Sequence, residues 1–229
     1  MAKSKRDINS ILKDMRKQGK LMDMKGKGDA GEDAVLHLVL ERQRHLGGLV
    51  YQSFKYPYQT NRDGVTYTGN IYMEDGKFVN VDTKKSGAGL EDEIDILLIT
   101  PYRVFPIEVK SYHAKLEVYD YWMRKQGEEV DKSPIAQAEK HARHLYHALC
   151  DVLPGGRPEY IKPIVCFVDR CTLNDMRSEE SIRYLPCCIL NTLKATIIAN
   201  NSPLAYNLDL KAVKGKLDSI KTDVRKEFV

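Results

Sequence analysis

The stretch EDEIDILLITPYRVFPIEVKSY, residues 91–112, constrains the fold of this chain more than any other. Ile94–Thr100 is a mostly apolar run, Val104–Ser111 is a second, and Pro101-Tyr102-Arg103 between them is turn material. Two such runs joined so briefly predict a β-hairpin. Side chains alternate along a strand, so Glu108 and Lys110 share one face, with Ile107 and Val109 on the other. The tight turn brings Asp95, near the start of the first strand, back beside the second.

Asp95, Glu108 and Lys110 interrupt otherwise apolar strands, and buried charge is costly unless it is paired or bound to metal. Two carboxylates on adjacent strands can chelate a hard divalent cation through oxygen. A lysine two residues further on then lies beside the water on that cation. The combination suits phosphodiester hydrolysis, in which the ion neutralises phosphate charge and the ammonium orients the nucleophile or stabilises developing charge. A structural ion pair at a sheet edge is the other reading of the same three residues.

The rest of the chain reads as an α/β pattern. Ile8, Ile11, Leu12 and Met15 stand at helical spacing in a basic segment, residues 7–20. Gly26, Gly28 and Gly31 suggest a flexible joint, and residues 30–46 a helix ended by Gly47-Gly48. Asp29 and Glu32 are spaced to form a capping box at its start. Val50–Tyr58 is extended, and its Tyr51, Phe54, Tyr56 and Tyr58 read as core residues ahead of base-stacking ones. Glu74-Asp75-Gly76 predicts a hairpin turn between 65–72 and 77–82. Leu116–Trp122 suggests a further strand. Ser133-Pro134 starts a helix running to about Leu149, with serine as its cap and proline at the first helical position. Ile161–Val168 is a buried strand, and Leu193–Asn200 and Leu210–Val224 are helical. His141, His144 and His147 recur every three residues and so drift around their helix, which argues against metal ligation by them.

Composition narrows the class. With 42% hydrophobic and 30% charged residues, 229 residues can build one large domain with extensions. No apolar run is long enough to span a bilayer, and MAKSKRDINS has no apolar segment of a secretory signal, so a cytoplasmic protein with no membrane partner is expected. Five cysteines without CxxC spacing argue against a zinc ribbon or a disulfide scaffold. Residues 1–28 carry nine Lys or Arg against three Asp or Glu, so the net +4 of the chain leaves about −2 for the remainder. A basic arm bearing Lys3, Lys5, Arg6, Lys13, Arg16, Lys17 and Lys20 suggests a polyanionic partner; a solubilising tail is the other reading.

Gly31-Glu32 on an early helix, Glu93-Ile94-Asp95, Ile107-Glu108-Val109-Lys110, and Ser133-Pro134 followed by Gln137 occur in that order. The set resembles the nuclease-related domain (NERD) family of the PD-(D/E)xK restriction-endonuclease-like superfamily, over roughly residues 28–170. The resemblance implies that Asp95 and Glu108 bind Mg²⁺ or Mn²⁺, that the Val109 carbonyl completes the coordination, and that Lys110 serves catalysis. It also places Glu32 near the metal, through a water or a second ion, and gives Gln137 the task of positioning metal, water or phosphate. Capping alone remains the other reading of Glu32, and a solvated helix position that of Gln137.

Three features depart from the family pattern. Ser133 stands where asparagine is usual. A hairpin-like insertion near 60–90 precedes the EID motif. Pro106 lies inside the catalytic strand, where it removes a backbone donor and suggests an edge or a bulge.

The expectation is therefore a mixed central sheet flanked by helices over residues 29–229, preceded by a basic helical arm and linker over 1–28. The implied activity is a metal-dependent nuclease acting on nucleic acid, DNA in the first instance, with internal cutting; a homodimer would suit a double-strand cutter. The alternative is a catalytically silent nucleic-acid-binding or regulatory module of the same fold.

Overall fold

The computed structural model describes residues 24–57, 71–74, 77–80, 91–120, 122–130 and 133–228. The basic segment 1–23 lies outside them, as do Tyr58 and most of the region between 58 and 90. In chain order the elements are α1 (Met24–Leu46), β1 (Leu49–Pro57), β2 (Ile71–Glu74), β3 (Lys77–Asn80), β4 (Glu91–Ile99), β5 (Val104–Lys110), β6 (Lys115–Val118), β7 (Met123–Lys125), β8 (Glu128–Glu129), α2 (Pro134–Leu149), β9 (Ile164–Phe167), β10 (Thr172–Asp175), α3 (Glu179–Tyr184), β11 (Cys187–Ile189), α4 (Leu193–Asn200), α5 (Leu210–Ile220) and β12 (Lys226–Phe228).

The predicted hairpin is the centre of the molecule. Strands β4 and β5 pair antiparallel, with Ile96 opposite Ile107 and Ile99 opposite Val104. Thr100 closes the turn: its amide donates to the Arg103 carbonyl at 2.8 Å and its hydroxyl to Asn201 Oδ1 at 2.6 Å. The hairpin lies inside a six-stranded mixed sheet of order β11-β9-β5-β4-β1-β12. Its strands are apolar because both faces are covered. Ile96, Leu98, Phe105 and Ile107 pack with Val35, Leu38 and Val39 of α1 and Leu193 and Ile197 of α4. Leu97, Ile99 and Val104 pack with Leu145 and Leu149 of α2 and Val213 and Leu217 of α5. Each fully buried side chain of this kind contributes about 1.5–3 kcal/mol.

A second mixed sheet, β10-β6-β7-β8, shares a smaller core with Ile135 and Ala138 of α2. Strands β2 and β3 form a separate antiparallel pair with Glu74 opposite Lys77, as expected of a hairpin at Glu74-Asp75-Gly76. The fold is α/β, a mixed central sheet between helices.

Several local expectations need correction. Helix α1 is already formed at Met24, so Gly26, Gly28 and Gly31 lie within it and make no joint, and Asp29 and Glu32 are interior residues with no capping role. Asp29 instead pairs with Arg225 at 3.2 Å. Pro106 marks neither an edge nor a bulge, because β5 is a central strand. Its missing donor faces the β9 side, where the register is the same before and after it, Val104 bridged to Ile161 and Ile107 paired with Ile164, and the ladder lapses only between them. Ser133 sits at the cap position of α2, but its hydroxyl caps nothing and is buried with no partner among the described residues. The last predicted helix stops at Ile220, and Lys226–Phe228 returns to extend the sheet beside β1. Tyr51, Phe54 and Tyr56 are fully buried core residues.

One irregularity shapes the site. In β1, Gln52 is opposite Ile96 and Phe54 opposite Ile94. Ile96 packs toward α1 but Ile94 toward α2, although residues two apart on a regular strand share a face. Both strands therefore turn over at Ser53 and Asp95, and Ser53 takes a left-handed φ of 51°. Such distortions re-aim a side chain, and here that side chain is Asp95.

Candidate active site

Continuing the β4–β5 register by one step puts Asp95 across from Glu108. The regular ladder ends there, and the Asp95 carboxylate takes over the next backbone donor: Oδ2 accepts the Val109 N–H at 2.7 Å. The Lys110 carbonyl accepts from Val168 on the β9 side. Backbone groups alternate in direction along a strand, so the Val109 carbonyl opens on the opposite side, the edge where Asp95 stands.

Glu108 faces α2 and its side chain is 1% exposed. Lys110 Nζ forms an ion pair with its Oε1, and His141 Nδ1 lies 3.3 Å from its Oε2. Each oxygen thus has one cationic neighbour, but among the described residues neither is paired with a donor in good hydrogen-bond geometry, so each keeps a lone pair for another ligand. Burial, and then the neighbouring Glu108 carboxylate, push the Asp95 carboxyl up to about 8, against the Val109 N–H and Lys110. Burial pulls the Lys110 ammonium down, but Glu108 and Asp95 outweigh it and hold it above its ordinary value.

Gly31 explains how Glu32 comes near. A Cβ at that position would lie 2.7 Å from Val168 Cγ2 and 3.8 Å from Val109 Cγ1, so only glycine lets α1 pack this closely on β5 and the residue after β9. Glu32 follows directly. Its Oε2 is 3.5 Å from the Ser53 hydroxyl and 3.9 Å from the Arg225 guanidinium. Burial, then Asp29, raise its carboxyl above the usual range, with Arg225 opposing. Its charge in turn contributes to the elevation of Asp95. Gln137 lies one helical turn before His141 on α2, and so on the stripe that faces Glu108.

Helix α2 also brings residues that the sequence reading set aside. His141 is sandwiched between two carboxylates: Nδ1 faces Glu108 and Nε2 lies 3.3 Å from Asp92 Oδ1. The other Asp92 oxygen meets His144 Nδ1 at 2.9 Å, and Lys140 Nζ lies 3.4 Å from Oδ1. Burial depresses the His141 imidazolium, but the Asp92 and Glu108 carboxylates on either side of the ring prevail and push it up to about 9. Burial also opposes the charge of Asp92, yet His141 and His144 hold its carboxyl well below the usual range. His147 is exposed, as surface drift predicts, but His141 and His144 are buried. The missed signal was register: His141 falls on the Ala138–Leu145 stripe that packs on the sheet. The arm residues Lys3, Lys5, Arg6, Lys13, Arg16, Lys17 and Lys20 lie outside the described residues.

The donor set fits a small, hard divalent cation. Asp95, Glu108 and the Val109 carbonyl offer oxygen only, and the unsatisfied Glu108 oxygens are the kind of group a cation would satisfy. Among the described residues no cluster of three or more His, Cys, Asp or Glu is arranged to hold a metal. Two carboxylates suffice for Mg²⁺, which keeps several waters and takes further ligands from substrate phosphate.

A family model described as the nuclease-related domain matches residues 27–168. That span is more than half of the chain and contains Glu32, Asp92, Asp95, Glu108, Lys110, Gln137, His141 and His144. No curated protein and no solved structure matches. Among the described residues no helix is long and apolar enough to cross a membrane. With its family match and its paired hairpin carboxylates, the chain belongs to the nuclease-related domain family.

Proposed function

We propose that this protein is a Mg²⁺- or Mn²⁺-dependent nuclease that hydrolyses phosphodiester bonds in DNA by internal cutting. The observation that carries the reading is the juxtaposition of Asp95 and Glu108 at the open end of the β4–β5 ladder, with Lys110 on Glu108. Asp95, Glu108 and the Val109 carbonyl would hold the ion, with Glu32 behind them contributing charge through an intervening water. A divalent ion there supplies a Lewis acid that neutralises the scissile phosphate and acidifies water. Lys110 is one-quarter exposed, so its ammonium can reach from Glu108 toward an attacking water and the charge that develops on phosphorus oxygens. Gln137, on the same side of the sheet, orients water or phosphate with its amide. The basic arm grips phosphates without reading sequence, which leaves base identity unread.

The test is incubation of wild type and Glu108→Gln with supercoiled plasmid and circular single-stranded DNA, in Mn²⁺, Mg²⁺ or EDTA. Nicking or linearisation by wild type alone, and only with metal, is expected. Cleavage that survives EDTA or the substitution overturns the metal assignment. Degradation of linear but not circular DNA overturns internal cutting. DNA binding without any cleavage favours a silent binding module.

A further inference from the structure

We propose that His141 and Asp92 form a positioning relay that sets the orientation of Glu108. This rests on the reading of Glu108 as a metal ligand. A carboxylate that is 1% exposed can still rotate about its last bond unless a fixed group stands against it. Lys110 meets Oε1 with an ammonium on a flexible, one-quarter exposed side chain, whereas His141 Nδ1 faces Oε2 at 3.3 Å from a buried ring. The imidazole is itself fixed, since Nε2 faces Asp92 Oδ1 at 3.3 Å, and Asp92 is fixed through Oδ2 by His144 at 2.9 Å. His141, Asp92 and His144 have side chains 6%, 4% and 9% exposed, so none is a mobile surface group.

The relay runs from His144 on α2 through Asp92, the second residue of β4, and back through His141 on α2 to the ligand on β5, and so couples the helix that carries Gln137 to the carboxylate. A buried chain of four ionisable groups is an expensive way to pack a helix on a sheet, because desolvation offsets most of the attraction. Its placement against Glu108 gives it a reason. Groups that orient metal-binding side chains are worth about 10–100-fold in metal affinity or activity when removed. His141 touches neither ion nor substrate in this arrangement; it acts through Glu108.

The experiment measures Mn²⁺ binding by calorimetry, and plasmid cleavage, for wild type, His141→Ala, His141→Asn, Asp92→Asn and the Asp92→Asn/His141→Ala pair. His141→Ala should raise the Mn²⁺ half-saturation by about 10–100-fold. His141→Asn, whose amide nitrogen falls near the Nδ1 position and can still donate to Glu108, should recover part of the loss. Asp92→Asn should weaken binding in the wild-type background and add nothing once His141 is alanine, because Asp92 acts only through the ring. A purely structural network predicts lowered melting temperatures with Mn²⁺ affinity unchanged in every folded variant, and that result overturns the proposal. So do additive effects in the pair. Should His141→Ala not fold, His141→Asn and Asp92→Asn decide by the same Mn²⁺ readout. Wild type that binds no Mn²⁺ overturns the metal reading and this one together; wild type that binds while the variants match it overturns this one alone.

Discussion

The Asp95 carboxylate accepts the Val109 N–H at 2.7 Å, and thereby ties the residue between Glu108 and Lys110 to the opposite strand. One carboxylate both caps the last ladder position of β5 and stands near enough to Glu108 for the two charges to oppose each other. The local turnover of β1 and β4 at Ser53 and Asp95 is what makes this reach possible.

The two carboxylates should respond oppositely to neutralisation without metal. Asp95→Asn keeps an acceptor for Val109 but removes a carboxyl whose charge burial and Glu108 oppose. It should stabilise the EDTA-treated protein by about 1–3 kcal/mol, or roughly 3–9 °C in melting temperature for a chain of this size. Glu108→Gln removes the anion that Lys110 and His141 face, and should destabilise by about 1–3 kcal/mol. Each should abolish cleavage. Thermal melting in EDTA decides the signs, and a loss of stability in Asp95→Asn would show that its bond to Val109 outweighs the repulsion.

Lys110→Ala should lower turnover by about 10²–10⁴-fold while leaving Mn²⁺ affinity within a few-fold of wild type. The ammonium supplies no ligand, and the ion itself would compensate the Glu108 oxygen that Lys110 leaves. Parallel calorimetry and single-turnover cleavage separate the two effects. Joint loss of affinity and turnover would mean that Lys110 chiefly holds Glu108 in place.

Much of this arrangement was legible in the sequence. Ile94–Thr100 and Val104–Ser111 showed the hairpin because their apolar runs and turn are local signals. The helix from Pro134 and the buried strand near Ile164 followed from the same kind of pattern. The order of Gly31-Glu32, Asp95, Glu108-Val109-Lys110 and Gln137 disclosed the family. What stayed hidden was long-range. Asp92 lies 49 residues before His141 in the chain, and no local periodicity links them. Pro106 looked like an edge signal because its neighbour across the sheet, β9, is more than 50 residues away. Asp29 and Glu32 looked like a cap because the helix extends through glycines, which local propensity disfavours.

Gly31 should resist enlargement. Alanine in place of glycine gains about 1 kcal/mol of intrinsic helix preference, yet its Cβ would sit 2.7 Å from Val168 Cγ2. The clash should prevail, leaving Gly31→Ala less stable by about 1–3 kcal/mol. Val168→Ala combined with it should recover most of that difference, since the offending methyl is gone. Urea denaturation of both variants and of Val168→Ala alone measures the coupling; additive losses would locate the strain elsewhere.

Removing the arm should separate grip from chemistry. Residues 1–20 hold seven Lys or Arg and two Asp, a net +5, whereas helix α1 is formed from Met24. A deletion ending at Gln18 or Lys20 therefore spares the helix that carries Gly31 and Glu32, while one ending at Lys27 would cut into it. Each phosphate contact contributes roughly −0.9 to the slope of log K against log salt on duplex DNA. If three or more of the seven cations touch phosphate, the slope of the truncated protein should be shallower by about 3 or more, and its affinity at low salt correspondingly weaker. Cleavage at saturating DNA should be nearly unchanged, because no proposed metal or catalytic group lies before Glu32. Fluorescence anisotropy with a labelled duplex in Ca²⁺, over a range of salt, gives the slopes. Equal slopes for the full and truncated chains would assign the arm no phosphate contacts, and a fall in saturated turnover would place part of it at the active site.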